Sequence, residues 1–299
     1  MALILAIETG TDICSVALVR DGELVALRES DEERNHAKKI AVFVDELLRE
    51  CGVAADELDA VAVSKGPGSY TGLRIGVSFA KGLCYGQSIP LVAVGSLDSL
   101  VEVAREDYEA GIIDIENWSD ATLCPMIDAR RMEVYTQTFN AEGVAQSSVE
   151  AKIIDGESFA AERNSGKPFV IFGSGAAKCA EVLEGATLIE VIPSARGMAR
   201  LAEQAFADGK TEDMAYFEPF YLKDFIVGTA KKSLLERVTE NGKRKTFSLE
   251  SSEEIGVNSQ FSILNSQFSI TPNASNALND SKHHGRKEQQ HKGKQQTKQ

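Results

Sequence analysis

Long apolar runs are missing from this 299-residue chain: none approaches the roughly 18 residues that a membrane-spanning helix needs. Histidine is scarce as well, with four in all and only His36 lying ahead of residue 283. One imidazole falls short of the ligand set of a catalytic zinc, and no Ser/His/Asp combination can be read from residue order. The five cysteines (Cys14, Cys51, Cys84, Cys124, Cys179) include no Cys-x-x-Cys pair, the pattern of reduced, buried thiols rather than of a metal or disulfide motif. MALILAIETG lacks a basic region and meets Glu8 before an apolar stretch is complete, so the expectation is no export signal and a cytoplasmic protein. Net positive charge is absent too. Of 32 basic and 45 acidic residues, ten and seven fall in 233–299, leaving residues 1–232 at −16 and the end at +3. An acidic body repels phosphate backbones over most of its surface, so a partner is expected to supply most of any grip on nucleic acid.

A hydrophobic content of 43% and a charged content of 26% are those of an ordinary globular protein with room for sizeable cores. Residues 3–7, 15–20 and 24–28 read as an antiparallel meander with Asp21-Gly22 as its hairpin turn. A helix follows over 36–51, with Asn35 as cap and Gly52 as stop. Then come a strand at 58–63, a helix at 72–85 and a strand at 90–94. The order partly repeats: strands at 122–128, 133–140 and 145–154, a short helix at 156–162, a strand at 169–172 and a helix at 175–184. A meander followed by alternating strands and helices, twice over, indicates an α/β duplicated fold of two lobes on mixed sheets flanked by helices. The expected organisation is a lobe over 1–105, a second over 106–215, a segment 216–232 returning toward the first, and a low-complexity end over 233–299. That end repeats NSQFSI at 258–263 and 265–270, and its His283, His284 and His291 read as solvated rather than metal-binding.

The most specific stretch is SKGPGSYTGLRIG, residues 64–76, where a strand gives way through a glycine turn to a helix capped by Ser69 or Thr71. Free N–H groups at such a start suit an anion; the alternative is a tight connection without a ligand. Glu8, Thr9 and Thr11 place a carboxylate and hydroxyls where the first strand ends, groups used to hold phosphate and hydrated Mg²⁺. The same hydroxyls can simply close a turn. Gly173, Ser174 and Gly175 form a second glycine turn with the same two readings. His36, at the start of the first helix, reads as a polar residue of the first turn or of a partner surface.

Both early helices carry much apolar surface. Ile40, Val44, Leu47 and Cys51 form one stripe, widened by Ala37, Ala41, Leu48 and Phe43. On the second, Leu73, Val77, Ala80 and Cys84 share a face, whereas Ile75, Phe79 and Leu83 lie elsewhere; Gly72, Gly76 and Ala80 leave a strip for close helix approach. A one-sided helix keeps a polar opposite face, so these helices are either wrapped in a large domain or covered by another protein.

ILAIETGTDICSVALVRDGEL, HAKKIAVFVDELL, AVAVSKGPGSYTGLRIGVSFAKGL, PMIDARRMEVYTQTF and Pro219-Phe220-Tyr221-Leu222-Lys223 resemble the TsaB family over about residues 1–232. The resemblance implies the actin/Hsp70-like two-lobed fold. It also implies a non-catalytic part in forming N6-threonylcarbamoyladenosine beside the anticodon of tRNAs that read codons starting with A. The implied partners are the paralogue TsaD, which carries the active site with its ATP/ADP and metal, then TsaE and TsaC, with a homodimer when alone and tRNA met indirectly. TsaD-type proteins place a His-x-x-x-His pair where this chain has Ser96 and Leu100, neither able to serve as that ligand pair. The partner contact carried over from the family falls on His36, Ile40, Phe43, Val44, Leu47, Leu73, Gly76 and Phe79. The competing expectation is a nucleotide-dependent enzyme of the same fold, a kinase or a transferase in its own right.

Overall fold

Strand β1 (Leu3–Glu8) is buried at every residue, because it sits at the centre of a sheet covered on both faces. Leu3, Leu5 and Ile7 point to one face; Ile4 and Ala6 point to the other. β2 (Cys14–Arg20) runs antiparallel to β1, and β3 (Glu23–Ser30) pairs with β2 across the turn Asp21-Gly22, whose φ angles of 51° and 79° fit the Asp-Gly signal. α1 (His36–Cys51) follows and ends at Gly52 with φ 66°, as expected of a glycine stop. Asn35 precedes it without a side-chain cap; its amide donates instead to Glu32 Oε2 at 2.8 Å. β4 (Ala60–Gly66) adds parallel to β1, α2 (Tyr70–Gln87) crosses over, and β5 (Leu91–Gly95) completes the order β3-β2-β1-β4-β5.

The computed structural model describes residues 1–32 and 35–223, all within one compact unit, Met1–Val227. The NSQFSI repeat and the three late histidines lie outside the described residues. α3 (Ser96–Glu109) leads to β6 (Thr122–Asp128), β7 (Glu133–Thr136), β8 (Glu150–Ile153), α4 (Ala160–Arg163), β9 (Phe169–Phe172), α5 (Ala176–Ala180), β10 (Thr187–Leu188) and α6 (Ala199–Ala207). The second sheet runs β8-β7-β6-β9-β10, antiparallel in its first two pairings and parallel in its last two. That is the first sheet's plan repeated, the duplicated two-lobed actin/Hsp70-like architecture.

Two helices that the strand-and-helix reading lacked join the lobes. Leu97, Leu100, Val101 and Ala104 of α3 pack with Leu123, Val170 and Phe172 of the second sheet. Residue 105, the expected end of the first lobe, therefore falls inside a helix. Ala199 and Ala202 of α6 return against Ile4, Ala6 and Val92. Arg196, just ahead of α6, is clamped by Glu106 at 2.8 Å and Asp107 at 2.7 Å. Cys14, Cys84, Cys124 and Cys179 are buried; burial pushes the Cys14 and Cys84 thiols up to about 11 and that of Cys124 to about 12, away from reactivity at neutral pH. Among the described residues no helix is long and apolar enough to cross a membrane.

Candidate functional site

The glycine turn at 66–68 and the end of β1 close on each other. Ser69 donates its N–H to the Gly10 carbonyl at 2.6 Å, and its hydroxyl accepts from the Gly72 N–H at 3.3 Å, so Ser69 rather than Thr71 is the cap. Side chains at three positions would collide with the β1 turn: a Cβ on Gly68 with the Gly10 carbonyl, on Gly72 with the Thr9 carbonyl, and on Gly76 with Thr9 Oγ1. These glycines admit the backbone of β1 rather than another helix. Carbonyl oxygens at the start of α2 repel an anion, so this turn is a tight connection. Gly72→Ala is accordingly expected to cost about 3 kcal/mol in a denaturant titration; an unchanged midpoint would contradict the close approach.

Glu8 and Thr9 are buried completely and Thr11 nearly so. The Gly10 N–H, a donor that a phosphate would need, is held by Glu8 Oε1 at 2.6 Å. Burial lifts the Glu8 carboxyl from 4.5 to about 7 against the opposing hydrogen bonds from Gly10, Ser64 and Thr9. Thr11 Oγ1 accepts from the Ile13 N–H at 3.3 Å, closing the turn. Thr9 Oγ1 and Ser96 Oγ are buried with no hydrogen-bond partner. The trio thus forms a sealed corner of the core rather than an open phosphate cradle. At the second turn, Gly175 donates to Met126 O at 2.8 Å and Ser174 Oγ accepts from the Asp128 N–H at 3.2 Å, tying Gly173–Gly175 back onto β6.

The partner stripe needs a larger correction. Ile40, Phe43, Val44 and Leu47 lie in the chain's own core with Leu5, Ile7, Val16 and Val77. Leu73 is 1% exposed and Gly76 is buried against Thr9. His36 is 7% exposed and sets its Nε2 3.2 Å from the Ile13 carbonyl, fastening α1 to the first hairpin. Apolar stripes at helical spacing covered the sheet, the burial that one face of a helix ordinarily achieves. Of the eight expected contact residues, Phe79 alone stays half-buried at the surface, while Ile40 reaches it only along the floor of a groove.

That groove, about 440 Å³, lies between α1 and α2 and is lined by Ala37, Ile40, Tyr70, Thr71, Arg74, Ile75, Ser78 and Phe79. Thr71, Ile75, Ser78, Gly82 and Gly86 follow one another at spacings of three or four and share the exposed face of α2. Neither Gly82 nor Gly86 has anything within 4 Å of a Cβ built on it. This face escapes a search for apolar stripes; the legible signal was two glycines inside a helix with no turn to make.

A family model described as TsaD: tRNA N6-adenosine threonylcarbamoyltransferase matches residues 30–274. The tRNA threonylcarbamoyladenosine biosynthesis protein TsaB of Escherichia coli is 31% identical over 232 residues, 75% of this chain and 95% of that protein. The chain belongs to the TsaB family. A solved structure, YeaZ from Pseudomonas aeruginosa, is 28% identical with a TM-score of 0.62, over 74% of this chain and all of that one. The tRNA N6-adenosine threonylcarbamoyltransferase of Nitratidesulfovibrio vulgaris is 44% identical over 122 residues, 36% of this chain and 34% of that protein. In this TsaB-family chain Ser96 and Leu100 are both buried, Leu100 within the core of the second lobe. Among the described residues no three His, Cys, Asp or Glu side chains gather as a metal site would require.

Proposed function

We propose that the chain is a non-catalytic, cytoplasmic subunit of the assembly that forms N6-threonylcarbamoyladenosine in tRNAs reading codons that start with A. It acts by docking the transferase paralogue TsaD on its α1/α2 face. The observation that carries this reading is the strip of small residues, Thr71, Ser78, Gly82 and Gly86, on the exposed face of α2, flanked by Arg74 and Tyr85. Glycine inside a helix costs about 1 kcal/mol against alanine, and nothing in the isolated chain offsets that cost at 82 or 86. A second helix laid close along the stripe would, since small residues bring helix axes together. The adjoining groove supplies the apolar floor, with Ile40, Ile75 and Phe79 in it.

The same face can meet its own copy about a two-fold axis, giving a homodimer when TsaD is absent. In this reading ATP/ADP and the metal belong to TsaD, TsaE joins as an ATPase, and TsaC supplies threonylcarbamoyl-adenylate. The alternative, an independent kinase or transferase, is poorly served by a β1 turn whose Gly10 N–H is already held by Glu8 and by Leu100 in a ligand position. Transfer of the threonylcarbamoyl group to tRNA, assayed with this chain alone, TsaD alone and both, tests the proposal. Turnover is expected only with both, and turnover by this chain alone would overturn it.

A further inference from the structure

A basic and aromatic patch crosses the acidic body beside the α1/α2 groove, assembled from three separate segments. Arg74 donates to the Tyr70 hydroxyl at 2.8 Å, its guanidinium 5.4 Å from that ring's centre. The ring of Tyr221 leans on Tyr70 with centroids 4.7 Å apart. Phe220, 43% exposed, is fixed beside Lys65 by an N–H bond to the Lys65 carbonyl at 2.7 Å. Lys223 ties this segment to the β6–β7 turn: it pairs with Glu133, donates to the Ala129 carbonyl at 3.4 Å and lies 5.9 Å from the Tyr135 ring centre. The turn itself carries Arg130 and Arg131. Both are exposed, and among the described residues neither has a side-chain hydrogen bond or an ion pair. Both hold left-handed backbone, φ 71° and 51°, where glycine or asparagine is the usual occupant.

Acids share the patch as well: Asp98 faces Lys65, and Asp128, at the end of β6, is paired with Lys178. Glu133 is neutralised by Lys223, and Glu218 faces Arg74 and Tyr221. Arg130 and Arg131 remain uncommitted cations, with Lys65 shared between the patch and Asp98, a local reversal on a body that carries −16. Guanidinium groups match phosphate oxygens in a fork geometry, and aromatic rings offer a surface for an unstacked base.

We propose that this patch grips single-stranded RNA, with Arg130 and Arg131 on the phosphates and the Tyr221 ledge against a base. The inference rests on the reading that the chain serves a tRNA-modifying pair. Tyr70 and Arg74 line both the patch and the docking groove, so RNA held by the partner reaches the patch without crossing the acidic remainder.

The test uses the full chain, alone and paired with TsaD, and the fluorescence anisotropy of a labelled RNA hairpin with a single-stranded loop over a series of salt concentrations. Arg130→Asn combined with Arg131→Gly gives the turn residues it favours, so the melting midpoint should hold or rise. RNA affinity should fall about tenfold, and the slope of log K against log salt should drop by about two. Tyr221→Ala should weaken binding with the slope unchanged. Unaltered RNA affinity and slope in the double variant would overturn the proposal, as would equally tight binding of a poly-glutamate peptide, which would make the patch a site for acidic proteins. Gel filtration with TsaD reads the pairing separately: a wild-type chain that never pairs defeats the proposed function, whereas normal pairing with no arginine-dependent RNA binding defeats only this inference.

Discussion

Gly82→Arg is expected to leave the chain folded and to weaken its pairing with TsaD at least about a hundredfold, close to 3 kcal/mol. Within the isolated chain nothing lies within 4 Å of a Cβ at position 82, so a longer side chain starts from open space. Arginine is also the better helix former, by nearly 1 kcal/mol, which predicts a slightly raised melting temperature. Against a docked helix the outcome reverses, because axes some 8–10 Å apart leave no volume for a guanidinium and its stem. Transfer to tRNA should fall with the pairing. Calorimetric titration against TsaD beside a thermal melt separates the two effects, and undiminished affinity would remove α2 from the interface. Leu47→Asp offers no such separation. Leu47 is completely buried in the first core, so a carboxylate there should unfold the chain.

Glu8→Gln should change how stability depends on pH. The Glu8 carboxyl titrates near 4.5 in an unfolded chain and near 7 in the native one, because burial disfavours its charged form. Between those values the folded state holds the extra proton, so raising the pH favours unfolding. The loss amounts to about 3 kcal/mol, beginning near pH 4.5 and complete a little above pH 7. Glutamine keeps a carbonyl oxygen for the Gly10 N–H and carries no charge at any pH. The variant should match the wild type at pH 4.5 and exceed it by up to about 3 kcal/mol at pH 8, measured by urea unfolding at several pH values. Parallel profiles for the two proteins would mean that Glu8 is ionised in the fold.

The polypeptide order carried most of the architecture. Period-two strands, Asp21-Gly22, and the glycine at 52 place the first meander and α1 by local chemistry alone, and the repeated order exposed the duplication. α3 was not legible, because its apolar residues serve the second lobe while its chain position suggests the first. The candidate site was half legible. α1 and α2 are the elements that bear the groove, yet seven of the eight residues assigned to the contact are buried within the chain's own fold, and the exposed stripe of Thr71, Ser78, Gly82 and Gly86 went unread.

The reason is physical. Helical period identifies a face that must be covered, and a sheet of the same chain covers it as well as a partner does. Sequence by itself determined the strands, the turns, the doubled plan, the charge balance and the family. Only the tertiary structure decided which face of α2 was left over, that the glycine turn ahead of α2 closes on the Thr9 and Gly10 carbonyls, and that Arg74, Tyr221, Lys223 and Arg130 come together. The last two of those outcomes depend on contacts such as Gly10–Ser69, 59 positions apart, and Tyr70–Tyr221, 151 apart, distances at which local propensity carries no information.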